Sequence, residues 1–210
     1  MQHLVLIGDS ILDNAAYTAG GPAVITHVQG QLPAGWRASL VAVDGSITED
    51  IYAQLQQIPA DATHLLLSVG GNNALSCLAI LETPVDSTAE ALLLLSEMAR
   101  DFELAYRTML QACLAVGLEL VVCTVYNGNF PDSNYQQRAA VALTVFNDVI
   151  LRIATEYRLT VIELRLICTA PDDYANPIEP SATGGAKIAQ AIVKAVTEPA
   201  HAARGATVVF

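Results

Sequence analysis

Three residues far apart in the chain are of the types that acyl transfer requires: Ser10, Gly45 and Asn72. Ser10 lies in Gly8-Asp9-Ser10-Ile11-Leu12-Asp13, directly after an apolar run at 3–7. A serine there stands at the end of a strand with its hydroxyl facing a crevice, which is a nucleophile's position; capping a turn or helix is the plainer role for the same residue. Acyl transfer also needs donors aimed where the oxyanion develops. A glycine N–H approaches closely and an asparagine amide adds a second donor, and Gly45 and Asn72 supply one of each after the next two apolar runs. Singly, either is as readily turn punctuation or a loop shaper. Together they stand at three successive strand ends.

The elements that must position them are legible from hydrophobic patterning. Short runs at 3–7, 38–43, 64–69, 119–125 and 160–163 are nearly apolar throughout, as strands covered on both faces must be, which predicts a parallel sheet. Helical patterns lie between them. Ser46 with Glu49, Ser87 with Glu90 and Ser133 with Gln136 each fit a capping box. Pro22 suits the first turn of a helix whose Val24, Ile25, Val28 and Leu32 share a face, and a last helix is expected after Gly184-Gly185. The order βαβαβαβαβα predicts an α/β protein, a three-layer α/β/α sandwich around a five-stranded parallel sheet. One domain spans 1–198, and 199–210 is left as a C-terminal tail that need not be ordered. Ligands of such sheets bind outside the carboxyl ends of the strands. There the sequence gathers Gly8-Asp9-Ser10, Asp44-Gly45, Gly70-Gly71-Asn72-Asn73 and Tyr126-Asn127-Gly128-Asn129.

Composition excludes several functions. With 53% hydrophobic and 15% charged residues the 210-residue chain folds, and a net charge of −11 without a Lys/Arg run makes nucleic acid and anionic membrane poor partners. The longest apolar stretch, at 91–95, is far short of the ~20 residues of a membrane span. Cys77, Cys113, Cys123 and Cys168 form no CxxC pair and read as buried thiols. The first residues carry no basic region before their apolar run, so a cytoplasmic location is expected.

These blocks resemble the SGNH hydrolases, also called GDSL esterases or lipases, in order and spacing from residue 3 to about 196. The resemblance implies a flavodoxin-like SGNH hydrolase fold and a serine esterase. Gly8-Asp9-Ser10 is similar to the first block, whose serine is the nucleophile and whose serine N–H is an oxyanion donor. Gly45 looks like the glycine of the second block and Asn72 like the asparagine of the third, with Asn73 where Asp is usual. The last block departs. Aligned on Asn176-Pro177-Ile178-Glu179-Pro180, Asn176 stands where the family has Asp and Glu179 where it has the histidine base.

No other histidine replaces it. His3 and His64 open their strands, about 16–20 Å from the carboxyl rim; His27 lies off the apolar face of its helix, and His201 is in the tail. Glu179 is therefore the candidate base. An ordinary glutamate, pKa ~4.3, is about two units less basic than histidine, nearly 3 kcal/mol in proton affinity, so burial must raise it. Asn176 in place of Asp removes a repelling charge and is expected to donate a hydrogen bond to the Glu179 carboxylate. Asp9, Tyr126 and Asn176 are weaker substrate-binding candidates, Asp172 and Asp173 read as solvated loop carboxylates, and 82–87 as a surface loop.

The reading that follows is hydrolysis of a small ester, thioester or acetyl group through an acyl-enzyme on Ser10, with no metal and no cofactor. Its alternative is an inactive scaffold that binds a ligand in the same crevice, since the histidine is missing. Phosphoester hydrolysis, which would be metal-dependent, is a weaker third reading.

Overall fold

Strands that are apolar throughout have to be covered on both faces, and β1 (Gln2–Gly8) is: Leu4, Val5, Leu6 and Ile7 are completely buried. The computed structural model describes residues 1–198 and 207–210. Its other strands are β2 (Trp36–Leu40), β3 (His64–Ser68), β4 (Glu119–Cys123), β5 (Thr160–Ile162) and β6 (Thr207–Val209). They form one sheet in the order β2-β1-β3-β4-β5-β6, and every pairing is parallel.

Six helices cover the sheet: α1 (Val24–Gln31), α2 (Ile51–Leu55), α3 (Gly71–Ser76), α4 (Thr88–Ala115), α5 (Ser133–Glu156) and α6 (Ala182–Thr197). Side chains alternate across a strand. Val5 and Ile7 accordingly join Phe102, Tyr106 and Met109 of α4 and Phe146 and Ile150 of α5, while Leu4 and Leu6 join Val24 and Val28 of α1 and Ile188 and Ile192 of α6. The result is the expected three-layer α/β/α sandwich. No described helix is long and apolar enough to cross a membrane.

The sheet has six strands where five were expected. The extra one, β6, pairs with β5 from within the segment read as a tail. It is three residues long with Val208 half exposed, so its state is set by the backbone partners at Thr160–Ile162 and not by a hydrophobic pattern. Residues 199–206, including His201, lie outside the described residues.

Of the expected helix caps, one forms as the pattern predicts and the others shift. Ser87 caps α4, accepting from the Glu90 N–H at 3.2 Å. α5 starts one residue earlier in its cap: Asp132 accepts from the Tyr135 N–H at 2.7 Å, and Gln136 turns away to accept from the Phe130 N–H at 2.8 Å. Ser46 caps no helix. The chain there makes a single 3₁₀ turn at Thr48–Asp50, closed by Asp50 accepting from the Ile47 N–H at 2.9 Å. α6 begins before the two glycines, capped by Ser181, whose hydroxyl accepts from the Thr183 and Gly184 N–H groups at 3.1 and 3.2 Å.

The glycines lie inside the first turn of α6 because that turn rests on backbone. A Cβ on Gly184 would stand 2.1 Å from the Asp173 carbonyl oxygen. In a free helix Gly→Ala gains about 1 kcal/mol, but overpacking costs typically 1–3 kcal/mol, occasionally more. We expect Gly184→Ala to lower the urea midpoint. Gly30→Ala in α1, where nothing lies within 4 Å of the new Cβ, should raise it. Equal effects at the two positions would show that the close approach does not limit the packing.

Candidate active site

The chain leaves β1 to form β2 on one side and returns to form β3 on the other, so the strand order reverses between β1 and β3. Such switch points open a crevice at the carboxyl ends of the two strands. Gly8-Asp9-Ser10 and Gly70-Gly71-Asn72 are the residues that emerge there. Gly8 has φ +138°, and a Cβ on it would lie 1.8 Å from the Ser68 carbonyl oxygen. Only glycine permits that approach.

Buried amide side chains hold the turn in place. Gln54 of α2 accepts from the Gly8 N–H at 2.7 Å, donates to the Gly8 carbonyl at 2.8 Å and reaches the Ser46 hydroxyl at 3.1 Å. Asn14 accepts from the Val24 N–H at 2.9 Å and donates to the Pro180 carbonyl at 3.2 Å, tying the Ser10 loop to α1 and to the loop that carries Glu179. Asn147 of α5 brackets Val125 after β4, accepting from its N–H and donating to its carbonyl, both at 2.8 Å. None of the three stood out in the sequence, because an amide in an amphipathic helix or loop carries no pattern.

Ser10 is buried, and among the described residues neither its N–H nor that of Gly45 meets an acceptor. Gly45 has φ +81° on an exposed loop. Asn72 donates one amide hydrogen to the Ser46 carbonyl at 3.0 Å, clasping that loop, and an amide has a second to give. Asn73, found where the resemblance calls for Asp, accepts from the Thr48 N–H at 3.2 Å and donates to the Thr48 hydroxyl at 2.9 Å. The third block thus fastens the second.

Glu179 and Ser10 line the same cavity. Burial raises the Glu179 pKa from 4.5 to about 6, opposed by the nearby Ser10 hydroxyl and reinforced by the charge of Asp44. Its Oε2 is buried without a partner. The loop below it is fixed by the Tyr126 hydroxyl, which donates to the Ile178 carbonyl at 2.6 Å. Asn176 does not donate to the carboxylate as expected. Its Oδ1 accepts from the Ile178 and Glu179 N–H groups, both at 2.9 Å, closing an Asx turn that spends the amide on backbone.

Asp9, next to Ser10 in the chain, lines the same cavity and is almost completely buried. Oδ1 accepts from the Ile11 N–H at 3.1 Å and Oδ2 has no partner. Burial raises its pKa from 3.8 to about 7, the Ile11 contact opposes this, and the charges of Glu179 and Asp44 add to it. At the rim, the Tyr17 hydroxyl donates to Asp44 at 2.6 Å, and this bond, with burial, pushes Tyr17 up to about 12. Tyr17 and Asp44 were not anticipated as part of the site, since each belongs to a loop and only the fold brings them together.

Asp173 is a further correction. It is completely buried, not solvated: Lys187 of α6 reaches it at 2.7 Å and the Thr169 and Ala170 N–H groups donate to it at 3.0 and 2.9 Å. Burial works to raise its pKa, and these partners together hold it below the usual carboxylate range. Asp172 is exposed, as read.

The described histidines stay away from Ser10. His3 is buried against Ser39 (2.8 Å) and Asp61 (3.2 Å), and His64 packs on Trp36 with ring centroids 4.7 Å apart and lies 3.2 Å from Glu119. His27 lies on α1, and none of the three lines the cavity at Ser10.

That cavity has a volume of about 90 Å³. Ser10, Asp9, Asn72 and Glu179 close one end, with Tyr126 and Asn127 beside them. The remainder is apolar, formed by Leu75, Leu78, Met98, Leu143 and Phe146 among others. A carbonyl placed at the polar end would lie between a hydroxyl, an amide donor and a carboxylate of raised pKa.

Between about pH 4 and 7 the folded chain retains the Asp9 proton that the unfolded chain has lost, so stability falls as pH rises through that window. The loss is on the order of 2–4 kcal/mol. Asp9→Asn keeps the acceptor for the Ile11 N–H and should flatten the pH dependence of the urea midpoint across the window. An undiminished slope would assign the titration to another group.

Comparison with known proteins bears on the family and the fold. Residues 6–187 match the model of the GDSL-like Lipase/Acylhydrolase family. No curated protein matches the chain in sequence. Among solved structures, an extracellular lipase from Streptomyces rimosus is similar with a TM-score of 0.65 at 14% identity, covering 93% of this chain and 100% of that one. The acetyl xylan esterase AlAXEase has a TM-score of 0.65 at 20% identity over 92% of this chain and 99% of that one. Axe2, an acetylxylan esterase from Geobacillus stearothermophilus, has a TM-score of 0.63 at 18% identity over 93% and 94%. At these identities the likeness is one of fold. With most of its length matched by the family model, the chain belongs to the GDSL-like lipase/acylhydrolase family.

Proposed function

We propose that the protein hydrolyses a small carboxylic ester, thioester or acetyl group through an acyl-enzyme on Ser10, with Glu179 as general base. The observation that carries this reading is the buried Glu179 carboxyl beside the Ser10 hydroxyl at the polar end of an apolar cavity. At a pKa of about 6, Glu179 has recovered most of the roughly two-unit deficit that separates glutamate from histidine. It is ionised at neutral pH and basic enough to take the hydroxyl proton as Ser10 attacks.

The Ser10 Oγ–carbonyl carbon bond forms while the proton passes to Glu179. The oxyanion is met by the Ser10 and Gly45 N–H groups and the free hydrogen of the Asn72 amide. Glu179 then protonates the leaving oxygen or sulfur, and water enters by the reverse roles to release the acid. With a pKa of about 7, Asp9 is about half protonated at neutral pH, which lessens the negative charge near the oxyanion and Glu179. Tyr126 lines the site and holds the Glu179 loop, and Asn176 positions that loop through its turn. All four cysteines are free thiols, as in a reducing compartment, and we place the protein in the cytoplasm.

Hydrolysis of p-nitrophenyl acetate and butyrate by the parent, Ser10→Ala, Glu179→Gln and Asn72→Ala tests this. Ser10→Ala should abolish turnover, and Asn72→Ala should cost on the order of 10²–10³-fold. Because the base works deprotonated, kcat/KM in the parent should fall tenfold per pH unit below about 6. Glu179→Gln should remove both most of the rate and this acid limb; a limb that survives it would assign the base elsewhere. Absence of any Ser10-dependent turnover would overturn the hydrolase reading in favour of ligand binding.

A further inference from the structure

The loops that meet at the carboxyl rim bring carboxylates together without a cation. Asp9 and Glu179 line the cavity at Ser10. Outside its lining, Asp13 accepts from the Asp44 N–H at 3.0 Å and Asp44 accepts from the Tyr17 hydroxyl at 2.6 Å, which joins the Ser10 loop to the Gly45 loop. Each of these contacts uses one oxygen of its carboxylate. The acids are near enough to act on one another: the charge of Asp44 is felt at Asp9, Glu179 and Tyr17, and those of Asp13 and Glu179 at Tyr17. Among the described residues none of the four acids takes part in an ion pair.

The distribution of basic residues along the chain accounts for this. Arg37 is the one lysine or arginine in residues 1–99, the stretch that supplies Ser10, Gly45 and Asn72. It lies at the amino end of β2 and pairs there with Asp61. Lys187, on the helix that follows Glu179, is spent on Asp173.

Exposed acids without partners are ordinarily a solvated surface. Two of these are not solvated. Asp9 is 1% exposed and Glu179 6% exposed, and each keeps a buried oxygen without a hydrogen-bond partner. Holding such oxygens beside further negative charge costs stability, which a positively charged ligand relieves. No three of the described acids come together as metal ligands do, so the charge that suits this rim is carried by an organic cation. Tyr17 sets an aromatic ring next to Asp44, and aromatic faces attract alkylammonium groups.

We infer that the acidic rim of Asp13, Tyr17 and Asp44 selects esters whose alcohol portion carries a positive charge, an ammonium or quaternary ammonium group. This deepens the ester-hydrolase reading and rests on it. The cavity at Ser10 is small and mostly apolar and takes the uncharged acyl group, which leaves the charged alcohol portion to the rim. As the acyl-enzyme forms, the bond from the carbonyl carbon to the alcohol oxygen breaks, the oxygen takes the proton held by Glu179, and the alcohol departs with its cation unchanged. Anionic esters meet the same four carboxylates as repulsion.

Acetylcholine and its uncharged isostere 3,3-dimethylbutyl acetate, in which carbon replaces the nitrogen, test this. At low salt kcat/KM of the parent should favour acetylcholine on the order of tenfold, and about 0.5 M salt should shrink the ratio. Asp44→Asn and Asp13→Asn keep acceptors for the Tyr17 hydroxyl and the Asp44 N–H. Each should lower the ratio about threefold, and the double variant should bring it close to one. The ratio is taken within one variant, so a loss of folded protein cancels. In parallel, tetramethylammonium should raise the melting temperature of Ser10→Ala, and less so when Asp44→Asn is added. A ratio near one in the parent, or one that both substitutions leave unchanged, would overturn the preference for a cation, while Ser10-dependent turnover of the neutral ester would leave the hydrolase reading standing. Stabilisation by tetramethylammonium that requires Asp44, without Ser10-dependent turnover of either ester, would overturn the hydrolase reading and leave the cation site. Neither turnover nor stabilisation would overturn both.

Discussion

The site depends on one close approach, that of Gly8 to the Ser68 carbonyl where β1 and β3 part. The two central strands run side by side to their last hydrogen-bonded pair, Gly8 with Ser68, and then turn in opposite directions. Any side chain at position 8 would wedge them apart and swing Ser10 away from Asn72 and Glu179. Gln54 converts this approach into a fixed geometry by bonding both polar backbone groups of Gly8 and the hydroxyl of Ser46, so that one buried amide sets the nucleophile turn and the Gly45 loop relative to each other. Buried polar groups satisfied in this way specify a single arrangement because every alternative leaves them without partners.

Around that fixed point the polar groups divide into two kinds. Gln54, Asn14 and Asn147 are buried amides whose hydrogen bonds all go to backbone or to a neighbouring hydroxyl; they are structural fasteners. Asp9 and Glu179 are buried acids that each leave an oxygen unpartnered. Unsatisfied buried oxygens are costly, and in a folded chain they concentrate where the missing partner is a substrate or a moving proton. The two acids line the same cavity as Ser10 and repel one another, so their titrations are coupled.

In the proposed mechanism Glu179 takes the role of a histidine base, which changes what the rest of the loop has to do. A histidine base needs an acid behind it to hold the ring and stabilise its positive charge. A glutamate base needs burial, and no second negative charge beside it. The chain provides the burial: the Asx turn of Asn176 and the Tyr126 hydroxyl fix the loop that carries Glu179, although the charge of Asp44 still acts on it, and Asp173 is paired with Lys187 of α6.

Much of the architecture was legible in the sequence. Apolar runs with no polar face specified a parallel sheet, and the residues following those runs specified the rim on which Ser10, Gly45, Asn72 and Tyr126 are found. These are local properties, set by side-chain type and period. What escaped was whatever depends on contacts distant in the chain. β6 exists because β5 offers an edge; α6 starts at Ala182 because its glycines rest on Asp173; Asp173 is an ion-paired core residue because Lys187 lies one turn into that helix; Asn14, Tyr17, Asp44 and Gln54 joined the site only when their loops met. The sequence by itself determined which groups can do chemistry, since that follows from their covalent structure. Tertiary structure alone decided how far burial raises the pKa of Glu179 and which side chains enclose the cavity at Ser10, because desolvation and cavity shape are properties of neighbours brought together by folding.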